Sequence, residues 1–250
     1  MSGHNKWSSI KHKKGAADAK RGKIFTKIIK EITVAAREGG GNPTGNPRLR
    51  TAIATAKAAS MPNDNIDRAI KKGTGELDGG QMEEMMYEGY GPGGVALLIE
   101  IVTDNRNRAA AEIRHMLSKN GGNLGENGCV GWMFNRKGLI DISGEKLNQD
   151  EIMEFGLELD GFEDLEGDES HIRIFTEPAA LYTIREALEK KNLTVDEATI
   201  GFVPQNTVKV EGKKAEQLLR LMDMLDENDD VSHVYSNFEI DEAEMERIAG

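Results

Sequence analysis

Apolar residues recur at helical spacing over the first third of the chain, then change rhythm. Ile24, Phe25, Ile28, Ile32, Ala35 and Ala36 fall at i, i+4 and i+8 on one face, and Gly39–Gly41 stop the run. That pattern predicts a first helix. Pro47 suits a first helical turn, and LRTAIATAKAA after it predicts a second helix reaching Ser60. A third helix starts near Pro62 or Asn63 with Ile66, Ala69 and Ile70 on one side, and KKGTGELDGG reads as a linker. Together these predict a small helical bundle. The first 20 residues are polar and basic with little periodicity, and read as an arm.

Beyond the linker the pattern alternates between strand and helix. Val95–Thr103 reads as a buried strand, Arg106–Lys119 as a helix with Ala109, Ala110, Ile113, Met116 and Leu117 inward, and Gly128–Asn135 as a strand. Much later Thr207–Val210, Lys213–Asp226 and Val231–Ile240 read as strand, helix and extended chain. The gap between holds Leu139–Ser143, Gln149–Leu159, Phe162–Leu165, Ile172–Phe175, Pro178–Lys191 and Leu193–Val203. Both sets follow the β-α-β-β-α-β order of ferredoxin-like domains. The expected fold class is therefore α+β. A basic helical domain with its arm occupies residues 1–76. A ferredoxin-like α/β domain is built from 77–136 plus 204–250, and a second one, 137–203, is inserted into it. Tyr87–Tyr90 would add an edge strand.

Composition narrows the setting. Hydrophobic residues make up 38% of the 250 and aromatics 5%, which favours several modest aliphatic cores. The single cysteine, Cys129, forbids an intrachain disulfide and points to a reducing, cytoplasmic compartment. The longest apolar run, Val95–Ile99, stops at Glu100, far short of a membrane span, and the basic start lacks the apolar segment of a signal peptide.

Charge changes the picture most. Residues 1–75 carry sixteen Lys/Arg against five Asp/Glu, a net of +11, whereas the whole chain is −11 and the remainder must be −22. The basic third asks for a polyanion, DNA or RNA; the bland alternative is a solvated basic face. The candidate phosphate contacts are Lys6, Lys11, Lys13, Lys14, Lys20, Arg21, Lys23, Lys27, Lys30, Arg48, Arg50, Lys71 and Lys72. Lysine outnumbers arginine there, which suits positioning on phosphates more than reading base edges. Trp7 either stacks on a base or anchors the arm to the bundle. No helix-turn-helix signature stands out.

Other motifs carry little chemistry. Gly89, Gly91 and Gly94 satisfy G-x-G-x-x-G, but a strand follows rather than a helix, so GYGPGG reads as a turn between strands. His4, His12, His115, His171 and His233 have no metal-ligand spacing, and Cys129 has no C-x-x-C partner and sits in an apolar stretch. The carboxylates of 160–169 and 226–230 miss the EF-hand pattern and read as solvated loops. A metal-dependent phosphoryl-transfer enzyme using those clusters is the competing class, but no paired acid and base suggests a reaction. No catalytic residue, metal or cofactor is expected.

Several segments together resemble a known family. GHNKW (Gly3–Trp7), IKHKK (Ile10–Lys14), DAKRGKIFTK (Asp18–Lys27), AAREGG (Ala35–Gly40) and NPRLR (Asn46–Arg50) are similar to the N-terminal domain of the YebC/PmpR family. MPNDNIDRAIKKGTGE (Met61–Glu76), YEGYGPGGVALLIE (Tyr87–Glu100), TDNRNR (Thr103–Arg108) and GGNLGENGCVGWMF (Gly121–Phe134) extend the likeness. Residues 140–250 match by layout more than by motif. Ser2 and Ala109 stand where the family more often has Ala and Thr. The resemblance implies a helical domain followed by two α/β domains, and a non-enzymatic role in gene expression. Members are described as DNA-binding transcriptional regulators. Others act as ribosome-associated translation factors that ease difficult sequences such as proline runs, so ribosomal RNA and the ribosome are the alternative partners.

Overall fold

The computed structural model describes Trp7, residues 17–78 and residues 82–249, the side chains of residues 17–21 excepted. Helix α1 (Ala17–Gly39) buries Ile28, Ile32, Ala35 and Ala36 in the core of the bundle. Phe25 packs at its edge, whereas Ile24 is 43% exposed, so the buried stripe is narrower than the apolar pattern. Helix α2 (Pro47–Ala58) starts with proline in its first turn, and helix α3 (Asn63–Thr74) ends on Gly75 at φ 81°. Asn46 ties α1 to α2. Its Oδ1 accepts from Leu49 N at 3.0 Å, and its Nδ2 donates to Ala35 O at 2.7 Å and Gly40 O at 2.9 Å. One buried amide thus caps the second helix and satisfies carbonyls at the end of the first.

Strands β1 (Glu83–Gly91) and β2 (Val95–Thr103) form a hairpin paired from Glu83↔Thr103 to Gly91↔Val95. The Pro92–Gly94 turn joins them, with Gly93 and Gly94 at φ 83° and 80°, so the glycine motif serves a strand reversal. Helix α4 (Arg106–Lys119) and the short β3 (Asn123–Leu124) follow. Next come β4 (Phe134–Ser143), α5 (Gln149–Leu157), β5 (Phe162–Gly167), β6 (His171–Thr176), α6 (Leu181–Lys190) and β7 (Thr194–Pro204). The chain returns through β8 (Val208–Lys209), α7 (Gly212–Asp226), β9 (Val231–Ser236), β10 (Phe238–Glu239) and a last helix, α8 (Glu242–Ala249).

The chain divides into two compact units. One is Asn135–Val203; the other contains the described residues on either side of it, bundle included. The inserted unit has sheet order β5-β6-β4-β7, with its first and third strands adjacent, as a β-α-β-β-α-β chain requires. Its core is Ile140, Ile142, Ile172 and Ile174 against Leu181, Ile184 and Leu188 of α6.

The outer sheet departs from the expected order, because it runs β3-β1-β2-β9. Tyr87–Tyr90 is not an edge strand of its own but part of β1, which pairs with β2 throughout and with β3 at Gly89 and Tyr90. The 207–210 strand shrinks to a two-residue parallel pair with β10, outside the four-stranded sheet. Gly128–Asn135 also fails as a strand, since β4 begins only at Phe134 and belongs to the other sheet. Its amides are taken by a side chain instead: Glu88 accepts from Gly128 N, Val130 N and Gly131 N at 2.7, 2.8 and 2.7 Å. Helices α4 and α7 cover one face of this sheet, packing Ile113, Leu117, Leu218 and Met222 on Leu97, Ile99 and Ile101.

Gly73 marks the closest approach of α3 to α1. A Cβ there would sit 2.4 Å from Thr33 O and 2.8 Å from Ala36 Cβ, whereas one at Gly45 would meet nothing within 4 Å. Gly73→Ala should cost about 1–3 kcal/mol in denaturant unfolding, and Gly45→Ala should be close to neutral. Equal effects would show that the helices do not pack at this level.

Candidate nucleic-acid interface

The bundle's cations fall into two groups, those turned inward onto the outer α/β region and those left in solvent. The inward group lies on α1. Lys30 Nζ donates to Asp230 Oδ1 at 2.6 Å, to Asp229 O at 2.7 Å and to Val102 O at 3.1 Å, which uses all three of its protons. Lys27 Nζ donates to Asp226 O at 2.8 Å, and Lys23 Nζ to Glu227 O at 3.2 Å. The i, i+3, i+4 and i+7 spacing of helix positions lets these lysines share one side of α1. The loop that receives them, residues 226–230, was expected to be a solvated acidic loop. Its Asp230 is only 5% exposed and also accepts from Arg108 Nη2 at 2.8 Å and Thr103 Oγ1 at 3.1 Å.

The electrostatics follow this geometry. Burial works against ionisation of Asp230, but hydrogen bonds from Lys30 and Arg108 outweigh it and hold the carboxyl below its ordinary range. Burial pulls Lys27 down despite Asp226 and Asp229. Such a desolvated ammonium is held by the protein and is a poor free phosphate contact.

Arg48 forms a second inward site. Its guanidinium is bidentate to Glu31 at 2.7 and 2.9 Å and reaches Glu38 at 2.7 Å and Glu84 at 3.0 Å. Burial opposes the charge, and Glu31 with Glu84 overrides it, raising its pKa. Glu84 stands on β1 beside Glu100 of β2. His233 Nδ1 on β9 lies 3.3 Å from Glu100 Oε2, and Tyr235 Oη donates to the same oxygen at 3.3 Å. For Glu100 burial is overruled by His233, and the carboxyl is held low. For Glu84 burial, reinforced by Glu100, wins over Arg48 and the carboxyl is pushed up.

Among the described residues, the expected contact residues are therefore not one surface. Lys6, Lys11, Lys13 and Lys14 lie outside the described residues, as do the side chains of Lys20 and Arg21, which fall at the start of α1. Lys27, Lys30 and Arg48 correct the expectation, because carboxylates and carbonyls of the protein occupy them. Lys23 is exposed but borders Glu227 at 3.9 Å. Arg50 is half-buried and donates to Pro43 O at 3.4 Å. Lys71 and Lys72 are in the last turn of α3, and Arg68, one turn earlier on the same stripe, joins them.

Trp7 is also a correction. It is 4% exposed, lies in the core of the outer α/β region and donates Nε1 to Asp223 Oδ1 of α7 at 2.8 Å. It packs in the core of the outer α/β region, not in that of the bundle, and its faces are closed to a base. The exposed tryptophan is Trp132, at 68%, in the Gly131–Met133 turn. Sequence reasoning missed it because the stretch around it looked like a strand.

Models of two families match the chain: "TACO1/YebC protein N-terminal domain" over residues 5–76, and "TACO1/YebC second and third domain" over residues 82–238. A probable transcriptional regulatory protein of Geobacter sulfurreducens is 58% identical over 248 residues, covering 99% of this chain and 100% of that relative. Another so named, of Syntrophobacter fumaroxidans, is 58% identical over 250 residues and 100% of both chains. The crystal structure of a conserved hypothetical protein from Aquifex aeolicus superposes with a TM-score of 0.85 at 48% identity, over 90% of this chain and 92% of that one. Among the described residues, no helix is long and apolar enough to cross a membrane, and no group of three His, Cys, Asp or Glu is placed to hold a metal ion.

The inward contacts set a pH response. Asp230 and Glu100 are held low, so their stabilisation is full above the ordinary carboxylate range, about 4, and is lost as pH falls through and below it. Glu84 has the opposite sign: its contribution is present below that range and disappears as pH rises through its elevated value. Two groups against one predict net loss in acid, read by urea unfolding at neutral pH and near pH ~3. Asp230→Asn should remove much of that loss and cost about 3 kcal/mol at neutral pH, since it leaves Lys30 desolvated without its counter-charge. An unchanged acid profile in the variant would show that Asp230 is not the titrating latch.

Proposed function

We propose, from the premise that this chain belongs to the TACO1/YebC family, that it is a non-enzymatic, nucleic-acid-binding regulator of gene expression. The observation that carries this reading is the segregation of charge, +11 in residues 1–75 against −22 in the remainder. A basic segment joined to an acidic body of this size directs a polyanion to the basic segment. The cations offered to it are the lysines of the first 21 residues together with Arg68, Lys71 and Lys72 on α3. Lys27, Lys30 and Arg48 hold the basic segment to the acidic body instead. The naming of the close relatives as transcriptional regulators supports DNA as the polyanion.

One feature of α3 favours a second target, structured RNA such as that of the ribosome. Helices α2 and α3 are joined by only four residues, 59–62, a spacing compatible with a helix-turn-helix unit. In such a unit the N-terminal residues of the second helix contact base edges. Here that end carries exposed Asp64 and Asp67, and the cations lie at the far end. Contact through phosphates alone fits this distribution better than groove reading.

The test is binding of the full chain to duplex DNA and to structured RNA across a salt series. Replacing Lys11, Lys13 and Lys14 with Ala, and separately Lys71 and Lys72, should weaken binding. The log–log salt slope on duplex DNA should flatten by about 0.9 for each phosphate that is no longer neutralised. Slopes unchanged in both variants would remove these residues from the interface. Crosslinking in cells followed by sequencing separates the targets: discrete promoters select DNA, and ribosomal RNA selects the ribosome.

A further inference from the structure

Trp132 is unusual in being both exposed and rigidly supported. Large apolar side chains in solvent are ordinarily scattered singly and need no support. The backbone around Trp132 is fixed at several points. Glu88 accepts three amide protons of the loop, from Gly128, Val130 and Gly131. Burial opposes the Glu88 charge, and those amides prevail and keep it low. Tyr90 Oη donates to Cys129 O at 3.2 Å, and the Trp132 indole N–H donates to the same carbonyl at 3.3 Å, which fixes the ring's edge. Gln205 closes the far side, its Nε2 donating to Trp132 O at 3.0 Å and its backbone N–H to Met133 O at 2.9 Å. A carboxylate that spends its charge on a loop's backbone is a costly way to leave an indole in water unless the ring's faces are used.

The surroundings indicate what uses them. The neighbours along the loop are Gly125, Glu126, Asn127, Gly128 and Gly131, with no second large apolar side chain exposed among them. A protein partner anchored by tryptophan ordinarily seats it within a wider apolar patch. A lone exposed ring, with half-buried Met133 beside it in sequence and exposed Glu126 and Asn127 earlier in the loop, suits a planar ligand with polar edges that can donate to a carboxylate. Position agrees. Glu88 and Glu84 lie on the same side of β1, four residues or about 13 Å apart. The first holds the Trp132 loop and the second receives Arg48 of the bundle. The loop and the bundle thus border the same strand face.

We propose that Trp132 is a stacking platform for an unpaired nucleobase of the bound strand. This rests on the nucleic-acid reading above and adds a preference for single-stranded or looped segments over continuous duplex. Stacking needs an accessible π-face and tolerates any base, so it would add affinity without sequence specificity. It also supplies the aromatic contact that the buried Trp7 does not.

The experiment titrates the full chain with a fluorescein-labelled single-stranded RNA of mixed sequence and, in parallel, with a duplex of the same length. Trp132→Ala should weaken single-strand binding about five- to hundredfold and leave duplex affinity within about twofold. Trp132→Phe, which keeps a π-face, should restore most of the loss. The wild type should show tryptophan fluorescence quenching by the single strand that Trp132→Phe lacks, which a purely structural role would not produce. Strong wild-type binding that Trp132→Ala leaves unchanged, without quenching, would overturn the stacking assignment alone. The nucleic-acid reading would then still stand. Failure of the wild type to bind either ligand would overturn that reading and the stacking proposal with it.

Discussion

The most heavily bonded contact between the bundle and the outer α/β region is one ammonium group. Lys30 Nζ is nearly out of water and would cost several kcal/mol there without partners. Asp230, the carbonyl of Asp229 and that of Val102 supply them. The last acceptor is available because the β2–β9 register shifts between Glu100 and Ile101. Beyond the shift Val102 N donates to Asp230 O at 2.8 Å, while Val102 O accepts from the bundle's lysine. A lysine from another region of the chain thus completes the frayed end of a sheet ladder. Thr103 and Arg108 converge on the same aspartate, so the turn after β2, the start of α4 and the loop before β9 are organised by one carboxylate.

This constraint divides the work of the basic residues. A net charge counts cations without regard to whether a carboxylate already neutralises them. Lys27, Lys30 and Arg48 belong to the architecture, and their pairing explains how the bundle and the outer α/β region fall in one compact unit. Among the described residues of the bundle, Arg68, Lys71 and Lys72 are exposed on α3 and are the cations the proposed function draws on.

Local pattern made the helices legible, because their signals lie within a few residues of one another. Examples are Asn46 with Pro47 opening α2, Gly75 ending α3, and the Ile113–Leu117 stripe of α4. The inserted unit was legible for the same reason, its six elements following in order. The outer sheet was not, because its membership depends on pairings across the insertion. Nothing local states that β1 occupies the slot next to β2, or that 207–210 leaves the sheet. The stretch Gly128–Asn135 misled for a different reason. Its apolar character looked like a strand, but Glu88, forty residues earlier, claims the amides that a ladder would have used.

The two tryptophans give the sharpest instance of that limit. In sequence Trp7 sits beside Lys6 in a basic arm, where stacking on a base and anchoring are both open, and Trp132 sits in an apolar run that reads as a strand. The fold buries the first and exposes the second. Trp7 finds a hydrogen-bond acceptor in Asp223 and an aliphatic bed on α7, which an amphipathic indole satisfies best at the edge of a core. Trp132 is denied a core because its loop is pulled onto the Glu88 carboxylate, and the tight turn that results leaves the ring outside. Burial of an aromatic is decided by where its backbone amides are satisfied as much as by its own hydrophobicity. The glycines of residues 121–131 are the local signal of a loop that could have distinguished the exposed tryptophan from the buried one.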